Sequence, residues 1–104
     1  MAISNRDKIG RGLETLRAGL APFVERELKA RLRGDWRSAV ERGSRYEMRR
    51  DAGGDIVWDT SALFSAMLGQ WDDVFRYTLG PPQRSLVHEI RGVRNDWAHE
   101  RTFS

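Results

Sequence analysis

Gly80-Pro81-Pro82 separates two stretches that each carry a helical apolar stripe, and this junction constrains the architecture more than any other feature. A glycine followed by prolines stops the helix before it, and proline suits the first turn of the helix after it. So short a joint makes the two helices antiparallel neighbours. Upstream, Leu63, Met67, Trp71, Val74 and Thr78 recur at helical spacing, with Phe64, Phe75 and Leu79 beside them. The spacing predicts a helix from Asp59 or Thr60 to about Leu79, where Asp59, Thr60 and Ser61 all offer cap oxygens. Downstream, a helix is expected from near Pro82 to about Ala98.

An earlier helix is expected over about Arg6 to Leu32. Ile9, Leu13, Leu16 and Leu20 share one face, and Val24, Leu28 and Leu32 continue it. Pro22 should kink or restart that helix, and Gly34 is a plausible stop. A short helix around Trp36 to Val40 follows. Residues 41–55 are charged, hold Gly43, Gly53 and Gly54, and lack apolar periodicity, so they read as an irregular, mobile loop. Its Arg45, Arg49 and Arg50 are either solvated loop charge or an arm for a polyanion. Ile56-Val57-Trp58 is too short to make a sheet. The fold class is therefore all-α, a small antiparallel helical bundle.

A chain of 104 residues suits one domain with a small core, which a partner subunit would help to complete. The sequence has no cysteine, which excludes disulfides and thiolate metal sites. No stretch is apolar enough to span a bilayer, and residues 1–11 lack a signal-peptide core, so the cytoplasm is the default compartment. Lysine and arginine total 18 against 15 acidic residues, a net charge of +3. Nearly all the positive charge is guanidinium, which grips phosphate in a planar, bidentate way and mildly favours an anionic partner such as RNA. The near balance of charges equally suits an ordinary solvated surface.

On a wheel of about 100° per residue, Leu86, Ile90, Val93 and Trp97 form the expected core face of the last helix. His88, Arg91, Asn95 and His99 lie opposite, with Arg94 between the two, next to Val87 and Ala98. This strip suits RNA cleavage without a metal. Histidine titrates near neutrality and can take or give the protons of 2′-hydroxyl attack. Arg94 or Arg91 supplies a fixed cation for the transition state. Asn95, one turn before His99, can orient the imidazole or bond a phosphate oxygen. Arg94 and His99 are about 140° apart on an ideal helix, so they converge only if the helix end unwinds or a two-fold dimer completes the site. Two histidines eleven positions apart make no metal ligand set, and no cofactor is expected. Trp36, Trp58 and Trp71 read as core or interface, and His88 and Asp96 by themselves as surface residues.

The segment Arg94-Asn95-Asp96-Trp97-Ala98-His99 resembles the R-x(4–6)-H motif of HEPN domains. Gly19-Leu20-Ala21-Pro22-Phe23-Val24-Glu25-Arg26-Glu27-Leu28, Trp71-Asp72-Asp73-Val74-Phe75 and Val93-Arg94-Asn95-Asp96-Trp97-Ala98-His99 resemble the Swt-type branch, a similarity over most of the chain outside residues 41–55. The resemblance implies an all-α bundle and a homodimer or pseudo-dimer with the motif helices at its interface. In many members it also implies a metal-independent endoribonuclease in which Arg94 and His99 are the catalytic pair and Asn95 the polar residue beside them, while other members have lost activity and serve as interaction modules. Arg91 and His88 are then expected at the RNA phosphates. Such domains occur in toxin–antitoxin, other defence and RNA-processing systems, often beside an NTPase or nuclease in a larger protein. The His-x-Tyr extension of some HEPN toxins is absent, since Glu100 and Arg101 follow His99. The end at Ser104, where a further helix would pack, suggests a fragment of a larger protein.

Two readings follow. The intact Arg94, Asn95 and His99 favour an endoribonuclease. The length and the near-balanced charge favour a non-catalytic module that dimerises its parent protein or docks a partner. A helical DNA-binding domain is a weaker third, because the arginines are spread along the chain rather than gathered on one recognition helix.

Overall fold

The computed structural model describes residues 4–32, 34–44 and 48–99. Helix α1 spans Asn5–Arg31, α2 Trp36–Arg42, α3 Thr60–Gly69 and α4 Pro81–Ala98, with a 3-10 turn at Phe75–Tyr77. The fold is all-α, as expected, and α3 packs chiefly between α1 and α4. Among the described residues no helix is long and apolar enough to cross a membrane.

Each helix begins where a side chain satisfies its first free amides. The Ser4 hydroxyl accepts from the Asp7 N–H at 3.1 Å, Asp35 accepts from the Ser38 N–H at 3.3 Å, and Asp59 accepts from the Ala62 N–H at 2.8 Å. At α4 the Gln83 side chain reaches back to the Gly80 N–H at 2.9 Å, and Pro81 occupies the first turn. Helix α1 runs through Pro22 without restarting. Pro22 and the Ala18 carbonyl it leaves unbonded are both on exposed positions, where water can take the bond.

The expected helix from 60 to 79 is shorter. It stops at Gly69 because the chain meets the end of α2 there: a Cβ on Gly69 would lie 2.7 Å from the Gly43 carbonyl oxygen. The buried Gln70 side chain then donates to the Ala39 carbonyl at 3.1 Å. One α-type turn, Val74 N–H to Gln70 O at 2.9 Å, and one wider turn, Arg76 N–H to Trp71 O at 2.9 Å, carry the chain through the 3-10 turn. Trp71, Val74 and Phe75 stay buried, so packing rather than helical continuity governs this stretch. Thr78 is exposed and drops out of the expected stripe.

Residues 48–59 hold local structure that their composition does not announce. Arg50 and Ile56 form an isolated antiparallel bridge, and the Asp51 carboxylate accepts from the Gly53 and Asp55 N–H groups at 2.9 and 3.0 Å. Gly54 takes the left-handed φ of 85° that closes the turn. Met48 and Ile56 reach the core. Arg49 pairs with Asp59 and Arg50 with Glu41, at 3.1 and 2.7 Å, so neither is a loose arm; Arg45 lies outside the described residues.

The core gathers Val24 and Leu28 of α1, Trp36 and Val40 of α2, Leu63, Phe64 and Met67 of α3, then Trp71, Val74 and Phe75. Trp36 and Trp71 are core, as read, and Trp58 is half-buried with its indole donating to Glu25 at 3.3 Å. The face that α4 contributes differs from expectation. Val87 is buried and Ile90 and Trp97 half-buried, whereas Leu86 and Val93 are 52% and 41% exposed. The helix is turned by roughly 50° from the expected orientation. Two side-chain anchors accompany that rotation: Trp97 docks on α1, with its indole N–H on the Arg6 carbonyl at 3.0 Å, and Arg94 reaches Thr60 on α3 at 3.3 Å.

Candidate functional site

The rotation of α4 places its polar strip over a cavity of about 580 Å³ between α4, α3 and the end of α2. His88, Arg91, Arg94, Asn95 and His99 line it from α4. All five site residues named from the sequence therefore share one concavity. Ser61, Ser65, Leu68 and Gly69 form the α3 wall, and Gly43 and Ser44 close the α2 end. The short approach of Gly69 to Gly43 joins these two walls, and neither glycine can gain a Cβ without displacing its neighbours.

Arg94 is the best-held group. It is half-buried, its Nε donates to the Thr60 hydroxyl at 3.3 Å, and its Nη1 lies 3.4 Å from the Asn95 side-chain oxygen. Asn95 thus orients the arginine next to it. Arg91 is half-buried, while His88, Asn95 and His99 are exposed. His99 is the C-cap of α4, with φ −90° and ψ 13°, and its N–H bonds the Asn95 carbonyl at 3.0 Å. The helix ends at this residue, so the ideal-helix separation of Arg94 and His99 does not keep them from lining one cavity.

The described lining of the cavity is one-sided in charge. Among the described residues that line it, two are arginines, two are histidines and none is acidic. Glu89 and Asp96 of α4 do not line it. Such a concavity favours an anion with several oxygens, which guanidinium, imidazole, amide and hydroxyl donors can share. Among the described residues no three His, Asp or Glu side chains gather as a metal-binding group.

His88, read from the sequence as a surface position when taken alone, opens onto the same cavity as His99. Ser61, read from the sequence only as a cap candidate, and Ser65 also line the cavity, and their spacing of four puts both on one side of α3, off the Leu63–Met67 stripe. Polar residues at that spacing on an otherwise apolar helix were the available signal. Nothing in the local sequence marks Gly43 and Ser44, which arrive through the fold.

A family model described as Swt1-like HEPN matches residues 11–104. Neither a curated protein nor a solved structure matches the chain.

Proposed function

The chain belongs to the Swt1-like HEPN family, and on that premise we propose that it is an RNA-directed domain that cleaves RNA without a metal ion. The observation that carries this reading is the single cavity that gathers Arg94, Asn95, His99, Arg91 and His88 with no acidic side chain among its described lining residues. In the proposed reaction the substrate's own 2′-oxygen attacks the adjacent phosphorus. A bond forms from phosphorus to the 2′-oxygen and the bond to the 5′-oxygen breaks. His99 takes or gives one of the two protons that move, since imidazole is matched to neutral pH. Arg94 bears on the charge that grows on the phosphoryl oxygens. Asn95 orients Arg94, and Arg91 and His88 hold neighbouring phosphates.

A homodimer is part of the proposal. The exposed Leu86 and Val93 lie one heptad apart on one edge of α4, and a second copy facing that edge would cover them. A defence or RNA-processing role, beside an NTPase or nuclease in a larger protein, belongs to the same proposal. The exposed edge equally favours a second reading, a non-catalytic module that dimerises its parent protein. Incubation of the chain with structured and unstructured RNA in excess chelator separates the two. Cleavage that depends on His99 supports the first; intact RNA in every case, with the chain still dimeric, supports the second.

A further inference from the structure

We infer that Thr60 is a positioning residue that holds Arg94 on the cavity wall through a neutral acceptor, leaving its charge for an anionic substrate; this rests on the proposed phosphate chemistry of the cavity. An arginine held by a carboxylate is half-neutralised before any ligand arrives. Here the neighbouring carboxylate is Asp59, immediately before Thr60. Its two oxygens are already committed, one to the Ala62 N–H at 2.8 Å as the cap of α3 and the other to Arg49 at 3.1 Å. Arg94 instead finds the Thr60 hydroxyl at 3.3 Å. Thr60 is the first residue of α3, and the next residue, Ser61, lines the cavity itself.

The printed bonds use Nε and Nη1 of Arg94. Nη2, the remaining donor nitrogen, is left without a partner among the described residues. Two tethers fix the plane of the guanidinium, and Nη2 remains to meet a phosphoryl oxygen. Holding a long side chain in advance removes rotamer entropy that would otherwise be lost on binding.

Three substitutions divide the roles of Thr60. Thr60→Val keeps the shape and removes the acceptor. Thr60→Ser keeps the hydroxyl. Thr60→Asp keeps an acceptor but adds a charge that neutralises Arg94, at a first-turn position where Asp suits the helix. The full chain is assayed for RNA cleavage with kcat and KM separated, for thermal unfolding, and for solvent exchange of the Arg94 Nε–H by NMR. Thr60→Val is expected to lower kcat on the order of tenfold, because a misplaced group loses effective molarity, with KM changed much less. Thr60→Ser restores kcat. Thr60→Asp weakens substrate binding although Arg94 stays held. The Nε–H exchanges slowly in the wild type and in the Ser and Asp variants, and quickly in the Val variant. Wild-type kcat in Thr60→Val, or equal exchange in all four proteins, overturns the inference. A wild-type chain that cleaves nothing while the exchange pattern holds counts against the ribonuclease reading and leaves the tether in place.

Discussion

The indole N–H of Trp97 donates to the backbone carbonyl of Arg6 at 3.0 Å, joining residues 91 positions apart, and the Arg6 guanidinium lies over the indole ring at 5.0 Å. This contact ties the last turn of α4 to the first turns of α1, two residues before His99. Trp97→Phe keeps most of the packing and loses the hydrogen bond. It is expected to cost about 1 kcal/mol in urea unfolding. If the cleavage reaction is present, it should fall in the same variant, because the helix end that carries His99 is released. Unchanged stability in Trp97→Phe would show that the bond contributes nothing.

The same contact makes three glycines of α1 unequal. A Cβ on Gly10 would meet the Trp97 ring at 3.0 Å, whereas Gly12 and Gly19 face open space within 4 Å. Gly12→Ala and Gly19→Ala should each stabilise the chain by up to about 1 kcal/mol, since alanine costs less entropy in a helix. Gly10→Ala gains the same propensity but must push the indole by a few tenths of an ångström, so its net gain should be smaller. Comparing the three melting curves checks this, and equal gains at all three positions would rule out a tight Trp97 seat.

Much of this was legible from spacing. The apolar stripes of α1 and α3 and the turn at Gly80-Pro81-Pro82 are local patterns, and local patterns report elements. The polar strip of α4 was legible for the same reason, since His88, Arg91, Asn95 and His99 share one side of a single helix. The choice between Leu86–Val93 and Val87 as the buried edge was not legible. The apolar arc of α4 is wide enough for either, and the outcome goes with Arg94 meeting Thr60 and Trp97 meeting Arg6, contacts between distant parts of the chain. The stop at Gly69 was hidden too, because the apolar stripe runs on past it and only the approach of Gly43 ends the helix.

Asp35 caps α2 and gives a pH signature. The Ser38 hydroxyl, and then the Ser38 backbone N–H, donate to its carboxylate and hold its pKa below the ordinary value of 3.8. A carboxyl whose pKa is lowered on folding contributes stability that is present above its unfolded value and lost as pH falls through the folded one. Local order in α2 should therefore decline only under acid conditions below the usual Asp range. In Asp35→Asn the cap remains and this acid dependence disappears. An Asp35 side chain that titrates at or above the ordinary value in NMR would contradict the assigned bonds.

Self-association should depend on the outer edge of α4. Leu86→Asp with Val93→Asp places charge on two exposed apolar positions and should leave a folded monomer, with its melting temperature close to that of an isolated wild-type subunit. Sedimentation at increasing concentration should show the wild type moving toward a dimer and the double variant staying put. A wild type that remains monomeric throughout, or a variant that still dimerises, removes this edge from the interface.

The chemical prediction concerns the cavity itself. Cleavage should persist in excess chelator and leave a 2′,3′-cyclic phosphate and a 5′-hydroxyl, because the nucleophile is the substrate's 2′-oxygen. His99→Ala and Arg94→Ala should each lose about a hundredfold or more in rate, the first through proton transfer and the second through transition-state charge. The two differ in stability. His99 is exposed and its imidazole is not needed by the fold, so His99→Ala should melt like the wild type. Arg94 is half-buried and bonded to Thr60, so Arg94→Ala should lose about 1 kcal/mol, the scale of one hydrogen bond and its packing. Asn95→Ala leaves the cation present but less well oriented and should cost less in rate than either. Arg94→Lys separates charge from geometry: it keeps the positive charge but cannot reproduce the planar fork that spans Thr60, Asn95 and a phosphate, so it should recover stability more than activity. Activity that required magnesium, or full activity in His99→Ala, would remove the mechanism and leave the non-catalytic reading.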